Sequence, residues 1–326
     1  MGQLVRIVVS CSDRKSTEVA SDLRLAAYPD NLEERATRWI DRLNRPGGKI
    51  VPANQLYQGE HWSVVQKLTS TAAASGCQVE LWVASAGYGL VRADDNLEPY
   101  AATFATRNAD SITRPGSNSS PGADAAFWWR RMSERPRTGG RPCNLQELAG
   151  RQPESPMIVA LSASYARAVG RDLLAAAHGL ADQSQLFLVS SETAGSGLGQ
   201  FRVPTSARFQ QSLGGTRMSL NARVANHIVE LAPPTIGTES GSGYVLRTNS
   251  RCSMSANGTT AIRSLMIRYW TSSRLRLPHP DRCLSHDCCA NSVTTTMPAS
   301  RSGLAASTSK RWQQVWHDQR QPHHRP

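Results

Sequence analysis

The sequence predicts an α/β fold: a single Rossmann-like domain whose mostly parallel sheet is flanked by helices, followed by a poorly ordered basic C-terminal tail. Three observations carry this prediction. Four short apolar runs each stop abruptly on small polar residues, at Ser10-Cys11, Ser85-Ala86-Gly87, Ser162-Ala163-Ser164 and Ser190-Ser191. Stretches of helical periodicity separate the runs, and strands alternating with helices at this spacing imply parallel βαβ units. After Leu231 the patterning ends, and acidic residues shrink to Glu239, Asp281, Asp287 and Asp318 while Ser, Thr and Arg dominate.

Leu4 to Val9 is a compact apolar run rich in β-branched residues, read as the first strand. Asn31 can cap a helix with Glu34 three residues on; Leu32, Ala36, Trp39, Ile40 and Leu43 then share one face, and Pro46-Gly47-Gly48 ends it. A second helix over about 61–75 buries Trp62, Val65, Leu68 and Ala72 and stops at Gly76. Val79 to Ala84 is the second strand. Residues 105–156 read as a loop-rich insertion or lid with one short helix around Phe127-Trp128-Trp129, whose aromatics serve as a lid or a core plug. Met157 to Leu161 is the third strand, Tyr165 to His178 an Ala-rich helix, and Gln185 to Val189 the fourth strand. Ser219 caps a last helix that turns Leu220, Val224 and Ile228 to one face. The domain therefore spans 1–231. Residues 232–326 cannot bury enough apolar surface to offset their chain entropy, and read as disordered or as the product of a shifted reading frame.

The chain of 326 residues is long enough for a sizeable core. A net charge of +12 favours polyanionic partners, because Lys and Arg that neutralise phosphates release counterions, the alternative being only a basic solvated surface. Seven cysteines without regular spacing argue against a secreted disulfide framework and for a reducing compartment. No run approaches the roughly 18 apolar residues of a membrane span, and the first ten residues lead straight into a polar loop, unlike a signal peptide. A cytoplasmic protein without a membrane partner is expected.

Ligands of open α/β sheets bind outside the carboxyl ends of the strands, so the rim where the four runs end is the expected site. Its first loop reads Ser10-Cys11-Ser12-Asp13-Arg14-Lys15-Ser16. Two cations within four residues favour a thiolate, which makes Cys11 a candidate nucleophile; the alternatives are a small sheet-top residue or a contact to an anion or nucleobase. The second cluster is Ser85-Ala86-Gly87-Tyr88-Gly89-Leu90, then Asp94-Asp95 and Pro99-Tyr100. Gly87 and Gly89 permit close approach to a ligand and Tyr88 offers a stacking face. Asp94 can orient a cation, hold a ribose hydroxyl or act as a general base. Ser162 and Ser190-Ser191-Glu192 supply further rim hydroxyls, and the turn Gly214-Gly215-Thr216-Arg217 at a helix start suits a phosphate or carboxylate, the alternative being a capped helix with a surface Arg. The fuller G-x-G-x-x-G and the P-loop are both absent. Cys283, His286, Cys288 and Cys289 have a poor spacing for zinc, so no metal is expected, and no cofactor is assigned.

Ser-Cys-Ser-x-x-Lys at 10–15, Leu56-Tyr57-x-Gly59, Ser85-Ala86-x-Tyr88-Gly89-Leu90, and Asp94 followed by Leu97-x-Pro99-Tyr100 resemble an uncharacterised bacterial domain. More distantly the chain resembles the YaaA-like proteins of peroxide stress and the archaeosine synthase core domain. Cys11 and Lys15 match the Cys and Lys spacing of that core. Ser10, Ser16-Thr17, Ala20 and Leu23 stand where it has proline, Pro-Tyr, serine and histidine. The resemblance implies a pocket related to one that handles a deazaguanine base in nucleic acid. The expected protein is a nucleobase- or nucleotide-directed enzyme, of the 7-deazaguanine modification type and linked to phage defence. Cys11, Lys15 and Asp94 would be catalytic; Ser10, Ser12, Arg14, Tyr57, Ser85, Gly87, Tyr88, Gly89, Tyr100, Ser162, Ser190, Thr216 and Arg217 would bind substrate. The alternatives are a non-catalytic nucleic-acid-binding or stress-response protein and a nucleotide-sensing domain of a defence system.

Overall fold

A computed structural model of the protein describes residues 4–115, 119–136, 138–191, 197–205 and 207–231, and the short strands at 234–235 and 251–252. In chain order the main elements are β1 (Leu4–Ser10), α1 (Leu32–Leu43), β2 (Val51–Pro52), α2 (Ala53–Leu56), α3 (Glu60–Ala74), β3 (Gln78–Ser85), β4 (Gly89–Arg92) and β5 (Asn96–Leu97). Then follow α4 (Pro121–Ser133), α5 (Leu145–Arg151), β6 (Met157–Ala160), α6 (Ala163–Ala168), α7 (Gly170–Gly179), β7 (Leu186–Ser190), β8 (Arg202–Pro204), α8 (Ala207–Leu213) and α9 (Leu220–Leu231). The disordered or frame-shifted reading of 232–326, and the zinc candidates within it, lie outside the described residues apart from an antiparallel pairing of Pro234–Thr235 with Arg251–Cys252.

Six strands form one sheet in the order β4-β3-β1-β6-β7-β8. All neighbours are parallel except the β3–β4 edge pair. The α/β class and the parallel sheet follow the sequence reading, because β6 and β7 are buried at every position and so must be covered on both faces. Strands β4 and β8 were not anticipated, since four and three residues carry too little alternation to register as strands.

The first strand conceals a charge. Arg6 is 1% exposed, and its guanidinium donates to the carbonyls of Leu148, Ala149 (3.3 Å), Gln152 (2.8 Å) and Ser155 where α5 ends. A cation thereby satisfies carbonyls that a helix end leaves without partners. Burial pulls the Arg6 pKa down to about 10, with Glu80 acting in the opposite sense, so the group stays charged at neutral pH.

Asn31 caps α1 as read, accepting from the Glu34 N–H at 3.0 Å, and Ala36, Trp39 and Leu43 are buried. Helix α3 buries the anticipated Trp62, Val65, Leu68 and Ala72. The 105–156 region is loop-rich around the expected helix at Phe127-Trp128-Trp129, with a second helix the sequence did not announce, and of the two roles offered for the aromatics Trp128 and Trp129 take that of a core plug. It contains α4 and α5, and Trp128, Met132 and Leu145 are fully buried because their side chains complete the core. The Ala-rich helix is corrected to two helices, α6 and α7, broken at Val169.

Among the described residues no helix is long and apolar enough to cross a membrane. Among the described residues Cys11 and Cys143 are free thiols. The positive charge is unevenly placed: 232–326 holds twelve Lys and Arg against four acids, whereas 1–231 holds 25 against 21. Residues 1–231 therefore account for +4 of the chain's +12.

Candidate functional site

The winding of the sheet reverses between β1 and β6, which places a crevice beyond their carboxyl ends. A cleft of about 500 Å³ opens there, within the usual range for small-ligand sites. Ser10 at the end of β1, Cys11 and Ser12 just beyond it and Ser162 after β6 line it, with Ser191 after β7 and Thr205 after β8. Thr103 and Tyr165 contribute one wall; His61, Arg217, Met218 and Asn221, at the starts of α3 and α9, contribute another.

The Cys11 N–H donates to the Ala84 carbonyl at 3.2 Å, continuing the β1–β3 ladder and fixing where the thiol emerges. Its Sγ lies 3.0 Å from the Tyr165 hydroxyl. Burial, and then the neighbouring Cys11, push the Tyr165 phenol well above its ordinary range, so it remains a donor. Behind the thiol the Tyr100 hydroxyl sits 2.6 Å from Ser85 Oγ and 3.0 Å from the Tyr57 hydroxyl, a chain of buried polar groups. Tyr100 is likewise pushed up, by burial first and by Cys11 next. Two phenols that keep their protons beside one sulfur can stabilise negative charge developing there.

Lys15 has a different task from the one the loop sequence implies. Its Nζ donates to the carbonyls of Ser12 at 2.7 Å and Asp13 at 3.2 Å, folding the loop back on itself, and stands 4.6 Å from the Tyr100 ring centroid. It faces a separate cavity of about 330 Å³ with Asp13, Arg24 and Asp110. Burial lowers its pKa, opposed by Cys11, Asp13 and Asp110. With two protons engaged on its own loop, Lys15 positions Cys11 and adds a cation nearby rather than lining the cleft.

No family model, curated protein or solved structure matches this chain.

Of the expected site residues, Ser10, Cys11, Ser12, Ser162 and Arg217 line the cleft together. Tyr57, Ser85 and Tyr100 form the buried layer behind it. Tyr88 does not present a stacking face: it is 6% exposed, packs edge-on against Tyr100 at 5.1 Å, and its hydroxyl donates to the Glu98 carbonyl at 3.2 Å. Burial and Glu98 raise its phenol to about 12. Asp94 is displaced further. Ala93 N donates to the carbonyl of Leu81, four residues before the end of β3, which sets Asp94 roughly 13 Å below the rim. There it pairs with Arg141 at 3.1 Å and Arg92 at 3.5 Å, so it is no base for Cys11. Arg14 is exposed, and Ser190 is fully buried while its neighbour Ser191 takes the cleft position.

Gly87 lies in the β3–β4 hairpin turn and Gly89 opens β4, so neither belongs to a ligand loop. Gly89 has φ +75°, which favours glycine. A Cβ on Gly87 would lie 2.5 Å from Tyr100 Cε2, so the bare backbone is what lets the Tyr100 ring pack there. Gly87→Ala is expected to lower stability by about 1–3 kcal/mol through overpacking. Urea denaturation of the variant checks this, and an unshifted midpoint would contradict the close packing.

The anion-binding turn is already filled from within. The Glu60 carboxylate accepts from the Thr216 N–H at 3.0 Å, the Ser219 hydroxyl at 2.8 Å and Arg223 at 3.0 Å. These donors hold its pKa down to about 2 from an ordinary 4.5. Thr216 is thereby removed from the ligand set and the turn is clamped to α3. Because the folded value is depressed, the contribution is present above about 4.5 and is lost as pH falls toward 2. The melting temperatures of wild type and Glu60→Gln should differ at pH 6 and converge as pH approaches 2; a constant gap would refute the linkage.

Tyr165, Thr103, His61 and Asn221 were missed as site residues. Tyr165 had a readable signal, one position beyond Ser162-Ala163-Ser164; the others reach the cleft only through folding. His61 Nε2 lies 3.0 Å from the Ser10 carbonyl, and burial lowers its pKa against the Ser10 and Met218 backbone, keeping the imidazole neutral.

Proposed function

We propose that the protein is a nucleobase- or nucleotide-directed enzyme whose reacting group is Cys11. The observation that carries the reading is the thiol at the switch-point cleft, 3.0 Å from a tyrosine hydroxyl that burial keeps as a donor. The Cys11 and Lys15 spacing, and its resemblance to the archaeosine synthase core, support a 7-deazaguanine type of nucleic-acid modification, in a cytoplasmic setting and linked to phage defence. Within this reading Cys11 is the nucleophile, Tyr165 and Tyr100 donate hydrogen bonds to the sulfur, and Lys15 positions the loop. Mass spectrometry of nucleosides from cells with and without the gene tests it. A modified nucleoside that disappears with the gene is expected, and an unchanged profile overturns the modification reading.

One observation favours a second reading, a binding protein without turnover. Among the described residues the cleft's only imidazole is the His61 ring, whose Nε2 is engaged by Ser10, and Asp94 lies elsewhere. No carboxylate or imidazole is seen hydrogen-bonded to the Cys11 sulfur among the described contacts. Ligand binding and phenotype that survive Cys11→Ser unchanged would select this alternative.

A further inference from the structure

We infer that the cleft's ligand is a small monoanionic or phosphomonoester compound whose anionic group is received by Arg217. The inference rests on the nucleobase- or nucleotide-directed reading above and replaces its nucleic-acid substrate with a free mononucleotide.

The charges of the cleft carry the argument. Among its described lining residues Arg217 is the one guanidinium or ammonium group and Asp13 the one carboxylate, while His61 is held neutral by burial. The remaining polar groups are hydroxyls, amides and the thiol. A groove built to follow a polynucleotide backbone needs repeated cations along its length. Among its described lining residues this cleft has one, and residues 1–231 hold 25 Lys and Arg almost balanced by 21 acids. Many of those arginines are consumed by pairing: Arg24 with Asp110, Arg42 with Glu98, Arg114 with Asp30, Arg141 with Asp95 and Arg223 with Glu60.

Arg217 is exposed and makes no hydrogen bond or ion pair with a described residue. Its backbone is nevertheless fixed, because Glu60 clamps Thr216 and Ser219 on either side of it. Gly215 permits that clamp: a Cβ there would lie 2.6 Å from both Arg223 Cζ and Glu60 Oε1. Glu60 thus neutralises Arg223 and the Thr216 amide, leaving Arg217 as the unspent positive group over the cleft. A ligand whose reacting atom rests near Cys11 can place one phosphate against this guanidinium on the neighbouring wall.

Calorimetric titration of the full chain tests this with four probes: guanosine, guanosine 5′-monophosphate, inorganic phosphate and a single-stranded deoxyoligonucleotide. The monophosphate is expected to bind at least about tenfold tighter than the nucleoside, and Arg217→Ala should erase that preference. Arg217→Lys should retain part of it, and the exposed Arg45→Ala should change nothing. Equal binding of nucleoside and monophosphate overturns the inference while the nucleobase reading survives. Binding of the oligonucleotide alone also overturns it. Arg217-dependent binding of phosphate without any nucleobase preference keeps the anion site and ends the nucleobase reading. Failure of all four probes to bind overturns both.

Discussion

Cys11→Ser is expected to lower formation of the modified nucleoside by on the order of a thousandfold or more, with ligand affinity retained. The hydroxyl preserves the size of the side chain and its contact with Tyr165, but it is a far weaker nucleophile than sulfur at neutral pH. Complementation of a gene-deleted strain, read by nucleoside mass spectrometry, supplies the measurement. Tyr165→Phe is the companion variant: it removes the donor 3.0 Å from the sulfur while leaving the ring, which packs edge-on against Phe104 at 4.9 Å. A partial loss for Tyr165→Phe beside the near-complete loss for Cys11→Ser separates a supporting donor from the reacting group. Full activity of Cys11→Ser would end the nucleophile assignment.

Trp128→Ala is expected to destabilise the domain by about 3–5 kcal/mol, the largest effect of any single substitution considered. Trp128 is fully buried, and its indole N–H donates to the Ala86 carbonyl at 2.7 Å. Trp39 does the same for the Gly87 carbonyl at 2.7 Å, so two indoles from separate helices hold the β3–β4 turn against which Tyr100 packs. Trp128→Phe isolates the hydrogen bond: it keeps most of the apolar burial and leaves the Ala86 carbonyl without that donor, at a cost of about 1–3 kcal/mol. Equilibrium unfolding in urea distinguishes the two variants. A loss below about 1 kcal/mol for Trp128→Ala would return α4 to the role of a lid.

Much of the fold was legible because it is written in local periodicity. The run from Leu4 to Val9, the Asn31 cap and the face of Trp62, Val65, Leu68 and Ala72 each announce an element within a dozen residues. The small polar endings at Ser10-Cys11 and Ser162 likewise marked the rim of the cleft. Helix α5 and the choice of core plug over lid were not legible for the same reason: Pro, Gly and Arg between 105 and 156 break local patterns, while the partners that bury Trp128 and Leu145 lie elsewhere in the chain.

By itself, then, the sequence determined the α/β class, the four central strands and the position of Cys11 at the carboxyl end of the first of them. Only the tertiary structure decided that Tyr165 meets that thiol, that Tyr88 and Asp94 do not, and that Glu60 rather than a ligand fills the turn at Thr216. The physical reason is range. Backbone preferences and amphipathic spacing act over a few residues, whereas the 154 residues between Cys11 and Tyr165 and the 156 between Glu60 and Thr216 are closed only by the packing of the whole sheet and its helices.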